Sequence, residues 1–231
     1  MLESLRTEVL NANSALPRHG LVKLTWGNAS AIERVSRLVV IKPSGVDYSG
    51  MTTADMVVLD LDGNVVEGQQ RPSTDTPTHL ALYRAFPQVG GVVHTHSTWA
   101  TVWAQAQREI PVMGTTHADL SRHAIPVTRQ LTKQEVEGSY EAATGTVLIE
   151  AVGEHEPLEL PCALVRGHGP FCWGETVAEA VQHAVTLEEV ARMALLTSLL
   201  AEPAPALDEY ITVKHYRRKH GEGAYYGQIA H

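Results

Sequence analysis

Cysteine is scarce in this sequence of 231 residues, which contains only Cys162 and Cys172. Two cysteines are too few for a disulfide framework and are unremarkable in a protein of a reducing compartment. The sequence also lacks any apolar run near the roughly 18 uncharged residues of a membrane helix. Its first residues lack the basic-then-apolar order of a signal peptide. We therefore expect a cytoplasmic protein that has no membrane partner.

Basic residues are outnumbered by acidic ones. The chain has 18 Lys and Arg against 26 Asp and Glu, so its formal net charge is −8 with its 12 histidines neutral. Sequence-independent nucleic-acid binding depends on many Lys and Arg side chains that neutralise phosphates. Nucleic acid is therefore not an expected partner, and an anionic substrate must be held by a local site.

Apolar residues are sufficient for a full core, because 44% of the chain is hydrophobic and 19% is charged. A chain of this length fits one α/β domain, and no internal repeat or low-complexity tract divides it. We expect a single compact domain over residues 1–231.

Helical patterns recur along the chain. Apolar residues at helical spacing predict a first helix from Leu2, and capping boxes at Thr132 and Thr176 begin two later helices. Two further helices are predicted at 75–86 and 97–107.

Strand-like patterns lie between these helices. Strands are predicted at 39–41, 90–96, 146–152 and 162–165, with a hairpin at 56–66 and a loop at 113–122. Because a hairpin pairs its strands antiparallel, the sheet cannot be wholly parallel. The sequence predicts an α/β fold with three layers, α/β/α, around a central and mostly antiparallel sheet.

Histidine is the unusual residue type. His94 and His96 lie two apart in a strand, so both side chains project from one face about 7 Å apart and could share an ion. A His-x-His pair is nevertheless more often made of surface or capping residues. His168 lies between two glycines after an apolar strand, where the backbone can approach another group closely. Three neutral imidazoles with an open fourth position are typical of catalytic zinc.

The two cysteines offer a competing ligand set with His168. We disfavour it, because Cys162 lies inside an apolar strand and Cys172 lies between aromatic residues. Cysteine in such surroundings usually behaves as a small hydrophobe.

Asp75 precedes Thr76 and Pro77, where it is an ordinary helix cap followed by a proline at the first helical position. The same helix start offers free backbone N–H groups, and the hydroxyls of Ser73 and Thr74 precede it. This combination suits a phosphate group.

Three further polar residues are ambiguous on local grounds. Lys42 follows a strand and is either a surface lysine or a charge for an anionic substrate. Asp119 in its polar loop is by itself a solvated carboxylate, and Tyr226 is by itself a packing residue of the tail.

Seven separated segments together resemble one family, the class II aldolase/adducin superfamily and, within it, the L-ribulose-5-phosphate 4-epimerases. The resemblance covers essentially the whole chain, and so many motifs in one order are highly specific. The segments are LTWGNAS at 24–30, IKPSGVDY at 41–48, STDTPTH at 73–79, VHTHS at 93–97, GTTHAD at 114–119, GHGPF at 167–171 and the terminal stretch 214–228.

The resemblance implies a zinc-dependent homotetramer with one Zn²⁺ per subunit, a central antiparallel sheet between helices, and active sites between neighbouring subunits. The implied reaction is C4 epimerisation of a phosphorylated ketopentose by retro-aldol cleavage and recondensation, in pentose catabolism. The L-arabinose, L-ascorbate and L-xylulose routes remain alternatives, as do other divalent metals.

The resemblance also implies roles for individual residues. His94, His96 and His168 become the zinc ligands, with Asp75 beside or on the metal. Asp119 and Tyr226 become the acid/base pair, the tyrosine coming from the adjacent subunit. The implied phosphate and substrate contacts are Gly27, Asn28, Lys42, Ser44, Gly45, Ser73 and Thr74.

One departure within the superfamily bears on the activity. The related sugar-phosphate aldolases generally carry glutamate where Asp75 stands, and this favours the epimerase branch. An aldolase on the same scaffold is the first alternative. A non-catalytic, adducin-like interaction module is less favoured, because it does not need three histidines and Asp119.

Overall fold

The computed structural model describes residues 2–221 and 223–226. Positions 222, 227 and 228 of the terminal motif therefore lie outside the described residues. The helices are α1 (Leu2–Arg18), α2 (Thr76–Ala85), α3 (Thr98–Ala106), α4 (Thr115–Leu120), α5 (Lys133–Glu137), α6 (Tyr140–Val152), α7 (Val177–Leu200) and α8 (Glu209–Lys219). The strands are β1 (Gly27–Glu33), β2 (Leu38–Ile41), β3 (Val57–Asp60), β4 (Val65–Glu67), β5 (Gly91–Thr95), β6 (Cys162–Val165) and β7 (Gly169–Gly174).

The seven strands form one sheet in the order β4-β3-β2-β1-β5-β7-β6. All six neighbouring pairs are antiparallel, which confirms the predicted kind of sheet. Strand β5 lies between β1 and β7, so His94 is paired with Asn28 on one side and Phe171 on the other. This register brings three separate sequence segments to one place.

Helices cover both faces of the sheet. Because successive strand residues point to opposite faces, Val93 of β5 packs in a core with α1, α3 and α7. Its neighbour Val92 packs in a second core with α2 and α6. The molecule is thus the predicted three-layer α/β/α structure. No helix in the described part of the chain is both long and apolar enough to cross a membrane.

Several local predictions are confirmed. The hairpin is formed by β3 and β4, and the helix predicted at 97–107 is α3 with Ser97 as its N-cap. The Thr132 hydroxyl accepts a hydrogen bond of 3.2 Å from the backbone N–H of Glu135, as a capping box requires. Thr176 caps α7 in the same way, but Glu179 accepts from the N–H of Glu175 rather than of Thr176.

The strand predicted at 146–152 is wrong, because this segment is the second half of helix α6. Its apolar run has strand-like composition, but the buried residues Leu148 and Val152 are spaced for a helix packed on α2. Gly145 allows that packing, since a Cβ there would lie 2.5 Å from the Cβ of Ala81.

Three smaller predictions also need correction. The loop predicted at 113–122 contains the short helix α4. Pro77 is the second residue of α2 rather than the first, and the side chain of Asp75 does not cap this helix. His96 lies one residue beyond the end of β5, so only His94 stands on the strand itself.

Candidate active site

The three predicted histidines converge at the end of β5. The ring centroids of His94 and His96 are 5.1 Å apart, and each lies 4.8 Å from the centroid of His168. One ring nitrogen from each of the three lies within 4.8 Å of the others, and no other such metal-capable group occurs within residues 2–221 and 223–226. Pairing of β5 with β7 brings His168 here, because it immediately precedes β7.

The hydrogen bonds of the imidazoles determine which nitrogens face the centre of the site. His94 Nδ1 lies 2.9 Å from the carbonyl oxygen of Pro170, which can only accept, so Nδ1 carries the proton and Nε2 is free. The Nε2 atoms of His96 and His168 are 3.0 Å apart. Two ring nitrogens at this distance repel through their lone pairs unless a proton or a cation lies between them. This arrangement fits a divalent metal.

Burial keeps these imidazoles neutral. It lowers the pKa of His94 and of His96, and it lowers the pKa of His168 to about 3, with the two neighbouring imidazoles adding to the effect. A neutral imidazole is the form that binds a metal, so the site needs no deprotonation at pH 7. The donor set of three nitrogens is that of a transition-metal or zinc site rather than of calcium or magnesium.

Asp75 lies beside the three histidines and lines the same cavity. Its Oδ2 atom accepts a hydrogen bond of 2.6 Å from Nδ2 of Asn28. The Asn28 contact explains why the carboxylate does not cap α2, although Asp75 occupies the N-cap position. The local sequence predicted the capping role, and the family resemblance implied a place beside or on the metal.

The predicted substrate contacts line this cavity, which has a volume of about 560 Å³. Two wall loops of the cavity are joined to each other, because the Ser73 N–H donates to the Lys42 carbonyl and the Ser44 N–H donates to the Arg71 carbonyl. The residues shared by the prediction and the cavity wall are Gly27, Asn28, Lys42, Ser44, Gly45, Ser73 and Thr74.

Lys42 is not a surface lysine, since only 1% of it is exposed. Its Nζ atom donates to the carbonyl oxygens of Pro43 at 3.2 Å and Val46 at 2.5 Å, and lies 4.9 Å from the ring centroid of Tyr48. Burial lowers the pKa of the ammonium group. A cation held this way is suited to an incoming anion, whose charge compensates its burial.

Asp119 and Tyr226 do not line this cavity. Asp119 on α4 accepts hydrogen bonds from Arg218 Nε at 2.9 Å and from Arg218 Nη2 at 2.5 Å. The Tyr226 ring lies 4.9 Å from Arg218 Cζ and 4.5 Å from Lys219 Nζ, and 62% of Tyr226 is exposed. Within one chain, the two residues therefore belong to a second cluster around Arg218, which we call the Arg218 cluster.

Five wall residues of the cavity were not predicted from the sequence. Tyr140 and Glu141 were missed because the start of α6 carried no recognised motif and its second half resembled a strand. Thr25 and Trp26 belong to a quoted motif, but no role was assigned to them. The missed residues are Thr25, Trp26, Pro43, Tyr140 and Glu141.

Comparison with known proteins identifies the family of this chain. The family described as Class II Aldolase and Adducin N-terminal domain matches residues 7–195. The chain therefore belongs to the class II aldolase and adducin family.

Individual relatives are named more narrowly than the family. The chain is 56% identical over 227 residues to an L-ribulose-5-phosphate 4-epimerase UlaF of Salmonella paratyphi B, covering 98% of this chain and 100% of that protein. The corresponding protein of Salmonella typhi gives the same identity and coverage.

Solved structures show the same fold. An L-fuculose 1-phosphate aldolase has a TM-score of 0.79 at 24% identity, covering 93% of this chain and 95% of its own. The L-fuculose-1-phosphate aldolase of Thermus thermophilus has a TM-score of 0.69 at 26% identity, covering 89% of this chain and 100% of its own.

Proposed function

We propose that this protein is a zinc-dependent, cytoplasmic isomerase that interconverts L-ribulose 5-phosphate and D-xylulose 5-phosphate. The observation that carries the proposal is one cavity whose wall combines three converging imidazoles and Asp75 with a buried lysine and Ser and Thr hydroxyls. Full-length similarity to named epimerases supports the choice of substrate.

The chemistry follows from the position of C4 in a 2-ketose. This carbon is β to the carbonyl, so the ketone does not acidify its hydrogen and direct proton exchange is implausible. Breaking the C3–C4 bond by a retro-aldol step gives the enediolate of dihydroxyacetone and glycolaldehyde phosphate. Recombination on the opposite face of the aldehyde inverts C4.

His94, His96 and His168 are the residues that would hold the metal. A divalent ion there supplies Lewis-acid stabilisation of the negative charge that bond cleavage leaves on the ketose fragment. Three neutral imidazoles with an open coordination position are the donor set of catalytic zinc. Asp75, oriented by Asn28, lies close enough to position a substrate hydroxyl beside these ligands.

The hydroxyls and the lysine of the cavity wall are suited to retaining glycolaldehyde phosphate while its carbonyl rotates. Ser44, Ser73 and Thr74 supply hydroxyls, and Lys42 supplies the buried charge. Hydrogen bonds of this kind hold a phosphate without contacting the aldehyde carbon.

The proton on O4 must leave from one face and return on the other, so two acid/base groups are required. We assign them to Asp119 and Tyr226. Because both lie in the Arg218 cluster and outside the cavity of their own chain, we propose that one neighbouring subunit supplies both to each cavity. This assignment requires an oligomer, and we propose the homotetramer implied by the family.

Turnover in heavy water tests the mechanism. We expect interconversion of the two pentose phosphates without deuterium at C3 or C4, because neither carbon exchanges a proton during cleavage and recondensation. Proton NMR of the products measures this. Deuterium at C4 would contradict the retro-aldol mechanism.

An aldolase that releases its fragments is the second candidate, since solved structures of similar fold include L-fuculose 1-phosphate aldolases. Asp75 in place of glutamate favours the epimerase. Accumulation of glycolaldehyde phosphate during wild-type turnover would favour the aldolase instead.

A further inference from the structure

Tyr140 makes a contact with a metal-site histidine that the proposed reaction has not yet used. It is the first residue of α6, it is half-buried, and it lines the cavity. Its hydroxyl oxygen lies 3.3 Å from Nδ1 of His168. Since His168 Nε2 faces His96 at 3.0 Å, Nδ1 is the nitrogen on the opposite side of the ring.

The tautomer of His168 determines whether its Nδ1 atom or the Tyr140 hydroxyl donates the hydrogen bond between them. If Nε2 is to bind a cation it must present its lone pair, so the ring proton of a neutral imidazole lies on Nδ1. The Nδ1–H then donates to the Tyr140 hydroxyl oxygen. The ordinary pKa of a tyrosine is about 10, so the partner is a neutral phenol at physiological pH.

The orientation of the His168 ring depends more on its hydrogen bond to Tyr140 than the orientation of His94 depends on its hydrogen bond to Pro170. The Nδ1 atom of His94 is held by a backbone carbonyl within the sheet, and that imidazole stacks on Phe171 at 4.1 Å. His168 instead lies in the turn between β6 and β7 and is partly exposed. In the described part of the chain, Tyr140 is the hydrogen-bond partner of its Nδ1 atom.

We propose that Tyr140 is a positioning residue, which holds His168 in the tautomer and ring orientation required of the third metal ligand. The proposal rests on the metal site of the proposed function. The start of helix α6 is fixed against the site, because Glu141 also lines the cavity. The backbone carbonyl of Glu141 accepts a hydrogen bond of 2.6 Å from the hydroxyl of Thr78 on α2. Outer hydrogen-bond partners of this kind orient metal ligands and raise their basicity.

The test is Co²⁺ binding by wild-type protein and by Tyr140→Phe, measured in competition with a chromogenic chelator. Loss of one hydroxyl should raise the Co²⁺ Kd roughly 10- to 100-fold. It should also shift the visible absorption bands of the bound Co²⁺, because one imidazole changes orientation. The matched control is Tyr210→Phe, which removes the hydroxyl of an exposed tyrosine that bonds Asp208 at 3.1 Å, and this variant should bind like wild type.

Thermal unfolding separates positioning from general stability. The metal-free Tyr140→Phe protein should unfold at the wild-type temperature, while the increase in Tm on adding Co²⁺ should be smaller than in wild type. Equal Kd values and equal spectra in the two proteins would overturn the proposal.

The outcomes distinguish this proposal from the proposed function. Weaker Co²⁺ binding by Tyr140→Phe in a protein without epimerase activity would support the positioning role and refute the epimerase. An active epimerase in which Tyr140→Phe leaves Co²⁺ binding and spectrum unchanged would do the reverse. A wild-type protein that does not bind Co²⁺ would overturn both.

Discussion

Asn28 donates a hydrogen bond of 2.6 Å from its Nδ2 atom to Oδ2 of Asp75, and the two residues are 47 positions apart. The bond joins the first residues of β1 to the start of α2. The Asp75 carboxylate therefore does not cap the helix and lines the cavity instead. There the length of the side chain sets how closely its carboxylate approaches the reacting fragment.

Asp75→Glu should convert part of the turnover to fragment release. The added methylene brings the carboxyl group nearer to the enediolate, where it could protonate C3 and release dihydroxyacetone and glycolaldehyde phosphate at a low rate. Enzymatic assay of both fragments measures this leak. Asp75→Asn is the matched control, because its amide has no proton to deliver, and an equal leak from both variants would contradict the explanation.

Replacing any one of His94, His96 and His168 by asparagine should lower zinc content and activity together. Each supplies one of three converging nitrogens, so the loss of one leaves an incomplete donor set. Elemental analysis of the purified variants, with circular dichroism to check the fold, gives the answer. Full metal occupancy in His168→Asn would refute the three-histidine assignment.

Lys42→Met should weaken binding of the phosphorylated substrate without unfolding the protein. The buried ammonium is assigned to the phosphate, and a hydrogen bond to a charged group contributes about 1.5–3 kcal/mol, which corresponds to a rise in KM of roughly 10- to 150-fold. Methionine removes a buried charge, which stabilises the fold, but it also removes the donor to the Pro43 and Val46 carbonyls; because these effects oppose each other, Tm should change little. With unphosphorylated L-ribulose, wild type and variant should have the same rate, and a difference there would argue against a phosphate contact.

Mixed oligomers should show whether Asp119 and Tyr226 reach a given cavity from the same neighbouring subunit. Because Asp119 and Tyr226 lie in one cluster of one chain, mixing His96→Asn with Asp119→Asn subunits should restore about a quarter of the sites in a randomly mixed ring. Each restored site combines an intact cavity with an intact neighbouring cluster.

The matched mixture is Asp119→Asn with Tyr226→Phe. Every site in it receives a defective Arg218 cluster, so activity should not recover. Recovery in this second mixture would show that the two residues reach a cavity from different subunits.

The Asp119 ion pair should contribute stability in a pH-dependent way. Burial opposes ionisation, but the hydrogen bonds from Arg218 and His215 outweigh it and hold the pKa of Asp119 below its ordinary value of about 3.9. A carboxylate whose pKa is lowered on folding stabilises the protein above its unfolded pKa, and this contribution disappears as the pH falls through the folded pKa.

Asp119→Asn should therefore lower Tm at pH 7, by roughly 2–4 °C for each kcal/mol lost, and the difference from wild type should shrink below about pH 4. Thermal unfolding of both proteins between about pH 2.5 and pH 7 measures it. A constant difference across this range would show that the carboxylate charge is not the cause.

Local sequence determined the parts of this protein that depend on neighbouring residues. The two-residue spacing of His94 and His96 placed them on one side of the chain, and the capping residues Thr132 and Thr176 marked where helices begin. The hairpin pattern excluded a wholly parallel sheet. Each of these follows from a backbone period or from a hydrogen bond over three or four residues, which a single segment encodes by itself.

Tertiary structure alone decided which segments meet. His168 reaches His96, 72 positions away, because β5 pairs with β7, and no local pattern specifies that pairing. The segment 146–152 has an apolar run suited to either a strand or a helix, and its packing on α2 through Gly145 selects the helix. That choice places Tyr140 against His168. Long-range pairing and core burial are properties of the assembled chain, so the contacts that complete this site were visible only in the folded molecule.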